Sequence, residues 1–318
     1  MFECPKTYVA GHTGLLGRAL LRRLKERGCL NLVTRTRAEL DLTSQAAVEI
    51  FFARERPQIV FMAAGLTGGI GANISRPAEF LHVNLSMQVN VFEAARKYGA
   101  ETLVFYGSSC VYPGGMERPI REDDLLTGPI EETSAPYATA KISGIRACKA
   151  YNSQYGKTRY IALVPNSMYG PWDSFDPENS HALAALIMKA VDAKERGDEP
   201  LTLWGTGGPR REFVYCDDVA DASIFAVENA DRLGNTHYNI GTGSDISIKE
   251  LGEMIAGAAG YRGEIRWDSS RPDGAKRKLL DSSSMASLGW SAAVSLEEGI
   301  RRTLEWYMGS KGERASGF

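Results

Sequence analysis

Tyr8-Val9-Ala10-Gly11-His12-Thr13-Gly14-Leu15-Leu16-Gly17 joins a short apolar run to an amphipathic stretch through glycines at 11, 14 and 17. The spacing predicts a strand, a tight turn and a helix. In such a turn the first two glycines let the backbone bend sharply and approach a pyrophosphate. The third lets helix and strand pack closely, and the helix N-terminus presents unpaired N–H groups to the anion. Glycines in a strand-to-helix turn are also compatible with a purely steric role, so the surrounding chain decides between the two.

Outward from this turn, residues 15–28 predict a helix, 31–34 a strand, 44–56 a helix and 58–64 a strand. Helices at 84–98 and 137–154 and strands at 102–106 and 159–165 continue the alternation. A β-α-β-α-β rhythm of this kind is satisfied by a parallel sheet with helices on both faces, here an α/β doubly wound Rossmann sheet of at least five strands. After Tyr169-Gly170-Pro171-Trp172 the rhythm changes to a loop rich in Asp, Pro, Ser and Asn, a helix at 182–196 and a strand at 201–204. These predict a smaller lobe. The run 237–241 is a further short strand expected to rejoin the main sheet before a helix at 248–260. The expected division is a cofactor domain of 1–170 plus about 212–245, and a discontinuous substrate lobe of 171–211 and 246–318. The terminal segment 309–318 reads as a frayed tail.

The 318 residues carry 37 Lys+Arg against 39 Asp+Glu, a formal charge of −2. That balance offers no global field for a nucleic acid or an anionic membrane, so small partners are expected. Cys4, Cys29, Cys110, Cys148 and Cys216 are odd in number and contain no CxxC pair, which argues against a disulfide framework and against a zinc site; no metal is expected. No basic-then-apolar leader opens the sequence and no window holds the roughly 18 apolar residues of a spanning helix. A cytoplasmic location is the expectation.

Two further clusters carry chemistry. At the end of the second strand, where a carboxylate would select a ribose 2′-hydroxyl, stands Thr34-Arg35-Thr36-Arg37. Guanidinium groups there would pair with a 2′-phosphate, favouring NADP over NAD, although solvated loop arginines would read the same way. Asp41 and Leu42 follow as adenine-side contacts. Tyr137 and Lys141 are spaced to share one helix face, so that the ammonium would favour phenolate and bring the phenol toward a working pKa. Such pairs are common on solvated helices. Upstream, Gly107-Ser108-Ser109-Cys110-Val111-Tyr112 leaves a strand at the carboxyl edge, where these folds place their chemistry.

Gly11, Gly14 and Gly17, Ser108 four residues before Tyr112, and Tyr137 with Lys141 together resemble the extended short-chain dehydrogenase/reductase family. The stretches 35–42, 107–113, 125–145, 169–187 and 204–215 are similar to its branch that turns GDP-4-keto-6-deoxy-D-mannose into GDP-L-fucose, and the likeness spans nearly the whole chain. The resemblance implies epimerisation at carbons 3 and 5, then NADPH-dependent reduction at carbon 4. It assigns Cys110 as base and His181 as acid for the epimerisation, and Tyr137, Ser108 and Lys141 to the reduction. It also implies NADP contacts from Gly11 to Gly17 (including His12, Thr13, Leu15 and Leu16), from Tyr106, Gly107 and Ser109, from Pro165, Asn166, Ser167 and Met168, and from His181. Lys189, Trp204 and Arg211 would hold the GDP-linked sugar, and two chains would pair as a homodimer through a four-helix bundle of the 84–98 and 137–154 helices.

The sequence departs from the pattern at Thr13, where many relatives carry an Arg that holds the 2′-phosphate, so a narrower NADP preference is expected. Reduction or epimerisation of another GDP-4-keto sugar (a heptose or dideoxy sugar), a 4-epimerase or dehydratase that retains NAD, and a non-catalytic NADP-binding module are the competing readings. Arg35 and Arg37 weigh against the second, and retention of both Tyr137 and Lys141 against the third.

Overall fold

The computed structural model describes residues 4–176, 180–270 and 273–315. In chain order its first half consists of β1 (Thr7–Ala10), α1 (Leu15–Glu26), β2 (Leu32–Val33), α2 (Gln45–Glu55), β3 (Ile59–Met62), α3 (Ile70–Ser75), α4 (Pro77–Lys97), β4 (Thr102–Tyr106), α5 (Ala135–Gln154) and β5 (Arg159–Pro165). The second half continues with β6 (Ser167–Tyr169), α6 (Ala182–Glu195), β7 (Leu201–Trp204), β8 (Arg210–Arg211), β9 (Phe213–Tyr215), α7 (Cys216–Glu228) and β10 (His237–Ile240). It ends with β11 (Ile246–Ser247), α8 (Ile248–Ala259), β12 (Ile265–Asp268), β13 (Arg277–Lys278), α9 (Ser283–Leu288) and α10 (Leu296–Ala315).

Six strands form the main sheet in the order β10-β5-β4-β3-β1-β2, all parallel. Its central strands are apolar without interruption because both faces are covered, and alternate residues serve different layers. Val9, Phe61, Val104 and Ile161 pack with α1 and α7 on one side, in a cluster that extends on to α6 and α8. Tyr8, Val60, Leu103 and Tyr160 pack with α2, α4 and α5 on the other. The strand at 237–240 does rejoin this sheet, beside β5.

Local signals account for the helix ends. The Ser44 hydroxyl accepts from the Ala47 amide to cap α2, and α8 opens on a reciprocal Ser247/Glu250 box and closes on Gly260 at φ 71°. Helix α4 starts at Pro77 rather than 84, with proline in its first turn where no N–H is needed. Helix α7, absent from the sequence reading, places Asp217 and Asp218 in its first turn and packs on α1. The segment expected to fray is instead helical to Ala315, and residues 316–318 lie outside the described residues.

Cys4 and Cys29 form a disulfide with their Cα atoms 5.0 Å apart, correcting the expectation that the chain has none. Each lies three residues ahead of the registered pair Thr7–Leu32 on neighbouring parallel strands, so the register itself brings them level. Odd cysteine counting could not show this.

The remaining strands build three small sheets, β11-β8-β13, β12-β7 and β6-β9. Glu212, between β8 and β9, is fully buried and ties these to the main sheet. Its carboxylate accepts from Asn166 Nδ2 at 2.5 Å and from the amides of Thr242 at 2.7 Å, Gly243 at 2.8 Å and Leu280 at 2.9 Å.

Candidate active site

The glycine turn sits at the carboxyl end of β1. Gly11 adopts φ +77°, and a Cβ there would lie 2.6 Å from the Ala64 amide nitrogen, so only glycine lets β1 and β3 end side by side. A Cβ on Gly17 would lie 2.6 Å from His12 Cα, in the seam between helix and strand. Gly14 differs: φ is −81° and a Cβ would meet only the Gly11 carbonyl oxygen at 3.6 Å. The fold does not demand glycine there. What the missing side chain leaves open is the approach to the first turn of α1, whose amides have no side-chain cap. His12 Nδ1 is buried nearby without a partner. These features fit a dinucleotide whose phosphates would take up the unpaired donors.

A groove of about 270 Å³ runs from this turn across the sheet edge. Gly11, Thr13 and Gly14 line it, as do Arg35, Arg37, Asp41 and Leu42. Residues 63–66, which follow β3 and were not singled out from the sequence, form its floor. The general signal was available, since every parallel strand of such a sheet ends at this edge. Arg37 makes no ion pair among the described residues, whereas Arg35 donates to Glu55 Oε1 at 2.8 Å and to the Thr34 carbonyl at 2.7 Å. Asp41 is engaged locally, its carboxylate held down by Thr43, which donates from its hydroxyl at 2.7 Å and its amide at 2.9 Å.

At the end of β4, Ser108 and Cys110 meet Tyr137 and Lys141 of α5. Lys141 is buried, and its Nζ donates to the Tyr106 carbonyl at 2.9 Å and lies 5.7 Å from the Tyr137 ring centre. Gly65 adjoins it: a Cβ there would be 3.6 Å from Lys141 Nζ. Buried Asn84 of α4 braces this corner, accepting from the Leu66 amide at 3.1 Å and donating to the Leu66 carbonyl at 3.0 Å. Burial pushes Lys141 down to about 8. Burial also pushes the Tyr137 phenol well up, more than a hydrogen bond from Ser108 restores. The lowering expected from the ammonium does not appear: desolvation, to which Cys110 adds, outweighs the bond with Ser108, and the resting phenol keeps its proton. The Cys110 thiol is likewise raised by burial, against the lowering influence of Ser108, Lys278 and Lys141.

Lys278 was missed because it comes from β13, far away in sequence. Its register partner on β8 is Arg211, so two cations stand abreast on adjoining strands. Arg211 donates to the Ala275 carbonyl at 2.6 Å and to the Arg210 carbonyl at 2.8 Å. Lys189 Nζ lies over the Trp204 ring, 4.7 Å from its centre, and that residue is 60% exposed.

Residues 165–168 leave β5 and enter β6, with the Asn166 side chain turned to Glu212. His181 caps α6 and faces Asp173, with Nδ1 3.7 Å from Oδ1, a pairing that raises the imidazole pKa. Asp173 was not foreseen. No hydrogen bond or ion pair joins His181 to Cys110 among the described residues; the Cys110 loop follows β4, whereas the segment carrying His181 follows β6, the strand after β5.

The arrangement sets a groove suited to a dinucleotide beside the Tyr137–Lys141 pair and the Cys110 thiol, Gly65 both lining the groove and adjoining Lys141. Residues 7–241 match the model of the NAD dependent epimerase/dehydratase family. The chain is 48% identical to GDP-L-fucose synthase 1 of Arabidopsis thaliana over 95% of its length and 93% of the relative's. It is 43% identical to GDP-L-fucose synthase of Escherichia coli K12 over 95% and 96%. Among solved structures, MlghC, a GDP-mannoheptose C4 reductase from Campylobacter jejuni with NADP bound, superposes with a TM-score of 0.88 at 39% identity, covering 97% of this chain and 99% of that one. With a glycine turn, a Ser loop and a Tyr–Lys pair on one sheet edge, and with relatives matched over nearly their full length, the chain belongs to the NAD dependent epimerase/dehydratase family.

Proposed function

We propose that the chain converts GDP-4-keto-6-deoxy-D-mannose to GDP-L-fucose, inverting carbons 3 and 5 and then reducing the 4-ketone with NADPH. The observation that carries this reading is the grouping of a thiol, Cys110, with the Ser108–Tyr137–Lys141 set, since reduction alone needs no thiol. The activity named for the plant and bacterial relatives supports it.

The groove residues Gly11 to Gly17, Arg37 and Leu42 would hold NADPH, which when bound supplies the hydride for carbon 4. A ketone at carbon 4 acidifies the protons on carbons 3 and 5, because the carbanion left behind is an enolate. Cys110 removes these protons as thiolate, a form favoured by Lys278 and Lys141, and His181 returns a proton on the opposite face. Tyr137, neutral at rest, donates its proton to the carbon-4 oxygen, with Ser108 hydrogen-bonding that oxygen and Lys141 stabilising the phenolate that forms. Arg211 and Lys278 face the diphosphate, and Trp204 with Lys189 offers a surface to the guanosine end.

The sugar lobe in this reading comprises 171–211 and 246–318, and the cofactor domain the remainder. A homodimer through α4 and α5 goes with it: Val89 on α4 is 63% exposed, whereas Phe92 faces the core against Phe105 and Tyr160. No helix among the described residues is long and apolar enough to cross a membrane. A cytoplasmic setting goes with this reading, in which Cys110 acts as a free thiol while Cys4 and Cys29 are paired.

Incubation with GDP-4-keto-6-deoxy-D-mannose and NADPH in deuterated water, followed by NMR, tests the proposal. The expected product is GDP-L-fucose carrying deuterium at carbons 3 and 5. Reduction without deuterium would make the chain a plain 4-ketoreductase, the activity named for the heptose relative.

A further inference from the structure

The 2′-phosphate end of the groove contains a competitor. Glu55, the last residue of α2, does not line the groove; it stands behind Arg35, with its side chain 13% exposed. One carboxylate oxygen accepts from Arg35 at 2.8 Å and the other from Lys6 at 2.8 Å. Arg35 is held from two more directions, by its bond to the Thr34 carbonyl at 2.7 Å and by the Phe51 ring, whose centre is 5.6 Å from the guanidinium carbon. Its orientation is thus set by backbone and ring as well as by Glu55, while its charge is shared with Glu55. Thr13 adds no cation to the turn, and Arg37, unlike Arg35, makes no ion pair among the described residues, its charge acting only at longer range on Asp41.

We propose that Glu55 is a specificity-determining residue for the cofactor, competing with the 2′-phosphate for Arg35 and so limiting the preference for NADP over NAD. The inference rests on the NADP reading above. Removing the carboxylate while keeping its shape releases the guanidinium charge toward the groove. The ribose without its phosphate has no stake in that charge. The effect is therefore confined to 2′-phosphorylated nucleotides and shrinks as salt screens it.

Binding titrations of NADP⁺ and NAD⁺ to wild-type protein, Glu55→Gln, Lys6→Met and Arg35→Ala test this without turnover. In Glu55→Gln the Kd for NADP⁺ is expected to fall about threefold, the scale of a partly exposed ion pair, with that for NAD⁺ unchanged. Lys6→Met leaves Glu55 to Arg35 and to Arg54, whose Nε is 4.0 Å away and whose side chain is largely exposed, so more of the carboxylate's charge falls on Arg35 and the NADP⁺ Kd is expected to rise. On an Arg35→Ala background, Glu55→Gln is expected to change nothing. An unchanged or higher NADP⁺ Kd in Glu55→Gln, or equal shifts for both nucleotides, overturns the proposal. Should Glu55→Gln fail to fold, an NADP⁺ Kd that does not rise in Lys6→Met overturns it. A wild-type protein with no preference for NADP⁺ overturns the cofactor reading itself, a different result from preference without a Glu55 effect.

Discussion

Lys141 holds its ammonium 5.7 Å from the centre of the Tyr137 ring, in a corner where burial brings the lysine down to about 8 and leaves the phenol protonated. The pair is set to donate a proton, and the charge that stabilises the resulting phenolate is lost when Lys141 deprotonates. Reductive turnover is therefore expected to fall as pH rises through about 8. Tyr137→Phe should lower the reduction rate by about 10²- to 10⁴-fold while NADP⁺ still binds, as checked by NADPH oxidation and cofactor titration.

Cys110→Ser separates the two half-reactions. Deuterium uptake at carbons 3 and 5 is expected to fall by at least about 100-fold, whereas a 4-keto substrate already epimerised should still consume NADPH. Normal uptake in this variant would remove the thiol from the mechanism.

Asp173 sets the imidazole. His181 acts as an acid only while protonated, and its pairing with Asp173 raises its pKa, extending that form to higher pH. In Asp173→Asn the alkaline fall-off of deuterium exchange should move to lower pH, with the reduction of an epimerised substrate unaffected.

Lys278 acts on the thiol in the opposite sense. Loss of its charge in Lys278→Met removes an influence that lowers the Cys110 pKa, so the acidic limb of the exchange profile should shift to higher pH. Alkylation of Cys110 by iodoacetamide at neutral pH should slow in parallel.

Closing a loop across a sequence separation of 25, the Cys4–Cys29 bridge should contribute about 3 kcal/mol through the unfolded state. Cys4→Ser should lower the denaturant midpoint accordingly without altering NADP⁺ binding. A midpoint equal to that of the oxidised wild type would show that the bridge contributes nothing.

Legibility in the sequence followed the range of the interactions. The strands at 102–106, 159–165 and 201–204 carry their full signal in their own apolar runs, and the structure places them at those bounds. The glycine turn was readable because its chemistry is local to seven residues. Lys278 and Glu55 were not, since each acts through a partner that only the chain's return brings near, nor was Asp173, whose approach to His181 depends on how an irregular loop folds. The expected lowering of the Tyr137 pKa failed for a related reason: spacing on a helix shows which charge is close, but the desolvation that dominates depends on everything packed around it.

Glu212 gathers bonds from residues 166, 242, 243 and 280. Transplanting the sugar-recognising stretch from a relative as one contiguous cassette would therefore strand a buried carboxylate unless all four neighbourhoods travelled together. On the proposed function, retargeting this scaffold to a different sugar nucleotide is better served by single exchanges at Lys189 and Trp204, which leave that internal rivet in place.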